Sequence, residues 1–296
     1  MRSFLKHLIK IPLRFLFLIR PKNNMSNHFY RARWFLMGQI QKLMMGRVRK
    51  EAYKGHIIEF ICPNYLSDWR AQTFNVKEPE TLEWIDTMKN EEIFWDVGAN
   101  IGVFSLYAAK AKNANVFSFE PSVFNLELLT RNIFQNQLQD RISVVPIALT
   151  NNTGFNNMYM TTTEWGGALT TFGEDFGWDG KKLNQNFKYI TAGITMDDAV
   201  NKLKIPLPSY LKMDVDGLEH LILQGGDEVL KNVESILIEV NENFEEQNFE
   251  VQQILTDAGL TLIHKKISSS EFSEPSELQA QATCNQIWKK NSYKNH

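Results

Sequence analysis

The densest chemistry of this 296-residue chain lies in residues 94–110, FWDVGANIGVFSLYAAK. An apolar run ends in Asp96, passes Gly98, Asn100 and Gly102, and becomes an alanine-rich amphipathic stretch. That pattern predicts a buried strand, a tight turn and a helix. Gly98 lets the chain turn sharply, and Gly102 lets the helix approach its neighbours closely. The spacing Asp-x-Gly-x-x-x-Gly differs from the Gly-x-Gly-x-x-Gly of dinucleotide sites, where bare amides and a helix dipole hold a pyrophosphate. An acid at the strand end suits a cationic ligand, such as one carrying an α-amino group. The next strand, NVFSFEP, ends in Glu120, where a carboxylate can accept two hydrogen bonds from a ribose diol. An amino-acid group at one strand end and a ribose at the next describe S-adenosyl-L-methionine.

A second set of polar residues follows two later apolar runs. SYLKMDVDGLE carries Lys212, Asp214, Asp216 and Glu219, and SILIEVN ends in Glu239 and Asn241. Methyl transfer is an in-line displacement that needs the acceptor held about 3–3.5 Å from the methyl carbon and water excluded. A hydroxyl acceptor also gains from a base that removes its proton. Lys212, Asp214, Asp216 and Glu239 are the catalytic candidates. Three readings stay open for them: a carboxylate base or orienter, which is favoured; oxygen ligands for one hard divalent cation; or a plain Asp216-Gly217 turn with Asp214 capping a helix. Asp197 in TMDD would cap a helix. His220 and His264 lack zinc spacing and are expected at the surface.

The elements that must position these residues alternate regularly from Glu91 onward. Strands are predicted at 93–98, 115–121, 141–150, 209–217 and 235–241, with helices at 102–111, 122–136, 194–203, 218–230 and 250–260. LTLIHKKI and CNQIWKK close the chain as strands without a helix between them, and should pair antiparallel. Residues 150–190 read as irregular, with MYMTTT as a hairpin arm. The stretch EWGGALTTFGEDFGWDG is either a lid over the acceptor or a solvated insertion. The class is α/β, a doubly wound and mostly parallel seven-stranded sheet with a closing antiparallel hairpin.

Charge separates the ends of the chain. Residues 1–50 hold twelve Lys and Arg and no acid, leaving twenty basic against thirty-four acidic residues in the rest. Residues 1–50 are read as a basic amphipathic helical arm, and residues 51–296 as the α/β domain. Lys6, Lys10 and Arg14 form one stripe of a helix whose other side carries Phe4, Leu8, Phe15 and Leu16. Two readings stay open: an interfacial helix on an anionic membrane surface, or a helix folded back on its own domain. No stretch is apolar enough to span a membrane, and two cysteines, Cys62 and Cys284, point to a reducing compartment. The expectation is a cytoplasmic protein, peripheral at a membrane if the first reading holds.

The chain resembles the FkbM-type methyltransferases, a family with the class I S-adenosylmethionine-dependent, Rossmann-like fold. FWDVGANIGVFSLYAA, VFSFEPSVFNLELLTRN, VVPIALTNNTG, TMDD, YLKMDVDGLEHLILQGG and ILIEVN carry the resemblance in the family's order. Where many members read Lys-Ile-Asp-Val-Glu-Gly, this chain has Lys212-Met-Asp-Val-Asp-Gly217, one methylene shorter at the second acid. The resemblance implies that Asp96, Gly98, Asn100, Gly102, Glu120, Ala148 and Asp214 line the cofactor, with Ala148 and Leu149 beside the adenine. It also implies O-methylation of a hydroxyl on a saccharide, glycan or small metabolite. The competing hypothesis is an inactive methyltransferase fold serving as a binding scaffold at a membrane. The acidic body argues against a nucleic-acid substrate.

Overall fold

The computed structural model describes residues 27–267 and 283–291. Contacts divide the chain after Gly46 into two units. The described part of the first is one helix, α1 (Asn27–Met45), with no acid in its first turn and Lys42 in its last. The readings made of residues 1–26 lie outside the described residues.

The second unit opens with an antiparallel hairpin, β1 (Val48–Tyr53) and β2 (His56–Ile61). The hairpin begins inside the sequence assigned to the basic arm. Arg47 and Arg49 pair with Asp68, and Lys50 with Glu59, so three of the twelve basic residues belong to the body. Two helices follow. In α2 (Tyr65–Gln72), Asn64 and Ser67 form a reciprocal capping box. In α3 (Pro79–Thr87), proline occupies the first turn, where its missing N–H costs nothing.

Strands and helices then alternate: β3 (Ile93–Val97), α4 (Val103–Lys112), β4 (Asn115–Phe119), α5 (Val123–Gln135) and β5 (Ile142–Val145). The strand expected at 141–150 breaks at Pro146, which cannot donate to a ladder. The chain leaves the sheet there and forms β6 (Ala148–Leu149). Residues 154–194 give β7 (Gly154–Met160), β8 (Thr170–Phe172) and β9 (Phe187–Ile194), which join β6 in a second sheet of order β6-β9-β7-β8. This corrects the irregular reading of 150–190. Met158, Met160 and Phe172 bury one face of that sheet against Ala148, while Phe155 and Ile190 remain exposed.

The chain returns through α6 (Met196–Asn201), β10 (Tyr210–Met213), α7 (Glu219–Gln224), α8 (Asp227–Asn232), β11 (Ser235–Asn241), α9 (Glu245–Asp257), β12 (Leu260–Ile267) and β13 (Thr283–Lys290). The single helix expected at 218–230 is two, separated at Gly225 and Gly226. The main sheet has the order β12-β13-β11-β10-β3-β4-β5. β13 runs antiparallel between β11 and β12, so the closing pair is the hairpin expected from the sequence.

Neighbouring residues of the central strands enter opposite cores. Phe94 packs with Leu106, Val116 and Leu129, whereas Trp95 packs with Leu211, Ile236 and Ile238, and all are almost wholly buried. Both faces of the sheet are therefore covered, as parallel strands require. The carboxyl ends of β3, β4, β10 and β11 are left as the edge where polar side chains collect.

Candidate functional site

Gly98 begins the turn after β3 at φ +81°, and a Cβ there would stand 1.9 Å from the Asp214 carbonyl oxygen. Only glycine lets the turn lie against the end of β10. The Gly98 and Ala99 amides donate to the Phe119 carbonyl at 3.0 and 3.1 Å, tying the turn to β4 as well. Gly102, at φ +88°, starts α4, and a Cβ there would meet Leu129 Cδ1 at 2.6 Å. The helix it keeps close is α5.

Glu120 is buried at the end of β4. Its Oε2 accepts from the Asn100 amide and its Oε1 from the Ser122 amide, both at 2.8 Å. Burial pushes this carboxyl up to about 7, against the pull of those two donors. Two backbone bonds leave a carboxylate room for further hydrogen bonds. Asn100 sits at φ +51° and donates from Nδ2 to the Gly167 carbonyl at 2.9 Å, while its buried Oδ1 has no hydrogen-bond partner among the described residues.

Asp96 is the penultimate residue of β3. It is two residues on from Phe94, so it faces α4, where its Oδ2 accepts from the Ser105 hydroxyl. It stands opposite Lys212 in the register of β3 and β10, and it lines neither cavity described below. Burial raises its carboxyl above the usual range, and its Oδ1 has no hydrogen-bond partner among the described residues.

At the end of β10, Lys212 is almost wholly buried and donates to Asp214 Oδ2 at 2.9 Å. Its ammonium also lies 4.9 Å from the centre of the Phe104 ring, a cation–π distance. Burial alone would lower it, but Asp214, Glu78 and Asp96 raise it above the normal lysine range. Burial alone would raise Asp214, and Lys212 brings it below the ordinary carboxylate range. Glu239, at the end of β11, is pushed well above its ordinary value by burial and by the Asp214 and Glu78 charges. Asp216, at φ +61°, accepts from the Thr170 amide at 3.2 Å.

Three neighbours from the sequence reading serve the scaffold. Glu219 turns inward to accept from the Val215 amide and from Gln247. Asn241 donates to the Trp178 carbonyl at 3.0 Å and so holds that loop. Asp197 accepts from the Glu228 and Val229 amides, which caps α8. His220, expected at the surface, is buried edge-on against Phe244, whereas His264 is exposed. Among the described residues, no group of three or more His, Cys, Asp or Glu could hold a metal ion.

Two adjoining cavities open at this edge, and Gly98, Asn100, Ala168, Asp214 and Asp216 line both. The cavity beside Glu120 is a slot with an apolar wall made by Ala148, Leu149, Phe119, Met158 and Phe172. The other cavity, which Lys212 and Glu239 also line, has walls that sequence reading missed. Trp69, Arg70, Thr73, Lys77 and Glu78 reach it from α2 and the segment leading to α3, and Trp178 and Leu169 from the 164–180 stretch. The spacing of four between Trp69 and Thr73 places those two on one face of α2, whereas Lys77 and Glu78 lie beyond the helix and carry no such signal. The 164–180 stretch is tied down: Gly166 and Gly167 accept from Arg70, Asn100 and Asn125.

This strand order, with one antiparallel strand inserted next to an outer strand, and these paired cavities at the strand ends define a class I methyltransferase fold. Residues 96–261 match the Methyltransferase FkbM domain, more than half of the chain, and the chain belongs to that family of methyltransferases. The chain is 23% identical over 244 residues to the hexuronic acid methyltransferase AglP of Haloferax volcanii, covering 79% of this chain and 88% of that protein. Similar solved structures include TYW2 of P. horikoshii in complex with MeSAdo, at 14% identity and TM-score 0.45 over 82% of this chain and 70% of that one. A precorrin-6y C5,15-methyltransferase from Geobacter metallireducens matches at 12% identity and TM-score 0.42, over 72% of this chain and 87% of its own.

Proposed function

We propose that the protein transfers a methyl group from S-adenosylmethionine to an oxygen of a saccharide or glycan. The observation that carries this reading is the meeting of two cavities at Gly98 and Asp214, one holding Glu120 and the other Glu239. The donor supplies an electrophilic methyl on a sulfonium centre. Glu120 would accept from the two ribose hydroxyls, and the apolar slot beside Ala148 and Leu149 suits an adenine. The unpartnered Oδ1 of Asn100 and the backbone space kept by Gly98 are the features that fit such a ligand.

On the acceptor side, Glu239 would take the hydroxyl proton while Asp214, fixed by Lys212, orients the acceptor. The elevated proton affinity of Glu239 suits a base, provided that it is ionised at the working pH. Asp216 would shape the junction of the cavities through the Thr170 amide. A saccharide is favoured because two aromatic residues, Trp69 and Trp178, line the second cavity, and because the similar AglP is named for a hexuronic acid. The test is transfer of labelled methyl from S-adenosylmethionine to a panel of oligosaccharides with and without uronic acids. Label in none of them would remove the glycan reading.

The basic arm is assigned to an anionic membrane surface. Trp34, Phe35 and Leu43 of α1 are each more than 60% exposed. Arg31 and Lys42 share that helix, and no acid lies within residues 1–50. Aromatic and aliphatic side chains of this kind enter the headgroup layer while basic ones meet anionic lipid.

A further inference from the structure

Resting on the donor and acceptor just proposed, we infer that Arg70 is the carboxylate anchor of the cavity shared by Lys77, Trp69 and Trp178. The group it takes is either the amino-acid carboxylate of the methyl donor or the acid of a uronate-type acceptor.

The guanidinium is fixed and incomplete. Arg70 lies in the last turn of α2, and its Nε donates to the Gly166 carbonyl at 2.6 Å. That bond aims the group into the cavity it lines. Its Nη2 is buried and has no hydrogen-bond partner among the described residues. A charged donor left unsatisfied out of water is costly, and a ligand that supplies an acceptor there recovers the loss. The planar fork of arginine matches a carboxylate or a phosphate in particular.

The surroundings choose between those two anions. The acids lining the same cavity are Glu78, Asp214, Asp216 and Glu239. Asp214 is engaged by Lys212, and Asp216 by the Thr170 amide. A doubly charged phosphate would meet these acids with stronger repulsion than a single carboxylate, for which Arg70 and Lys77 are the cations lining the same cavity with Lys212. Trp69 completes the arrangement, with the Arg70 guanidinium 5.8 Å and the Lys77 ammonium 5.5 Å from its ring centre. An aromatic face bordered by two cations suits a carbon framework that ends in an acid. Both a methionine-type tail and a uronate have that form.

The experiment compares the full chain with Arg70→Met and Arg70→Lys by titration calorimetry, with thermal melts to show that each variant folds. S-adenosylhomocysteine carries the amino-acid tail, and methylthioadenosine lacks it. D-glucuronate and D-glucose are titrated into protein saturated with S-adenosylhomocysteine. If Arg70 holds the donor's carboxylate, Arg70→Met loses roughly tenfold or more in affinity for S-adenosylhomocysteine while methylthioadenosine is unaffected. If it holds the acceptor's acid, S-adenosylhomocysteine binds as before and glucuronate loses its advantage over glucose. In either case Arg70→Lys, which keeps the charge without the fork, falls between. Unchanged affinity for both S-adenosylhomocysteine and glucuronate overturns the assignment, as does an equal loss for S-adenosylhomocysteine and methylthioadenosine. If the wild-type chain binds neither adenosine compound, the donor reading fails and Arg70 falls with it. If it binds both and Arg70→Met changes neither S-adenosylhomocysteine nor glucuronate binding, the Arg70 assignment fails and the donor reading survives alone.

Discussion

Gly98 and Asp214 are in backbone contact across the site: no side-chain carbon fits between the glycine and the Asp214 carbonyl oxygen, which would lie 1.9 Å away. The turn after β3 and the end of β10 thus act as one wall of both cavities. Gly98→Ala should separate them and strain a positive φ, costing about 1–3 kcal/mol of stability. Binding of S-adenosylhomocysteine should weaken more than tenfold. Gly154→Ala is the control, since no atom of the described residues lies within 4 Å of a Cβ there. Thermal melts and titrations of the two variants check both statements, and equal behaviour would show that the contact is incidental.

Glu120 predicts a pH dependence with opposite signs in the free and bound protein. Burial raises its carboxyl to about 7 in the folded chain, as it does for Glu219. A raised acid stabilises the free protein fully below its ordinary pKa, and that contribution is lost as pH rises through about 7. The free protein should therefore melt lower at about pH 8 than at about pH 5.5 on account of these groups. If Glu120 holds the ribose as proposed, it does so ionised, and S-adenosylhomocysteine affinity should rise over the same interval. Glu120→Gln should flatten the affinity profile, and Glu219→Gln only the stability profile. Titrations and melts across that range read both.

Glu239 and Lys212 should separate rate from stability. Glu239→Gln should lower kcat by about 10²–10⁴-fold, as loss of a general base does, with S-adenosylhomocysteine affinity nearly unchanged. The wild-type rate should rise with pH, because the Glu239 carboxyl holds its proton well above the ordinary range. Lys212→Met removes the cation among Asp214, Glu78 and Asp96, and should cost about 3–5 kcal/mol of stability. A rate abolished by a chelator and restored by magnesium would assign these carboxylates to a cation instead.

Residues 1–46 should carry the protein onto anionic vesicles. Each basic side chain near such a surface contributes about 1 kcal/mol, and the exposed Trp34 and Leu43 add apolar insertion. Flotation should be strong with anionic lipid, weaker with neutral lipid, and reduced by salt. The double change Trp34→Glu and Leu43→Glu should abolish it. A full chain that stays behind at low salt would leave the arm a structural element.

How much could be read beforehand follows from how local each signal is. β3, β4, β10 and β11 are short apolar runs closed by acids, so their ends, and with them Glu120, Asp214 and Glu239, are legible from neighbours alone. The second sheet was missed because β7 and β9 are half exposed and carry Asn, Thr and Gly, which read as loop. The wall formed by Trp69, Arg70 and Lys77 depends on contacts about a hundred residues apart, such as Arg70 to Gly166 and Asn64 to Trp165. For Asp96 a strand pattern gives the face of the side chain but not its contact with Ser105 on α4. The burial of His220 arises from Phe244, which no spacing connects to it.

The central claim, that the paired cavities hold an S-adenosyl donor through Glu120, is tested most directly by titrating the full chain with S-adenosylhomocysteine beside its Glu120→Ala variant. Saturable one-to-one binding is predicted for the wild type, weakened more than tenfold in a variant that melts as a folded protein, since each charge-assisted bond lost is worth about 1.5–3 kcal/mol. No saturable heat from the wild type, or the same affinity in both proteins, would contradict it.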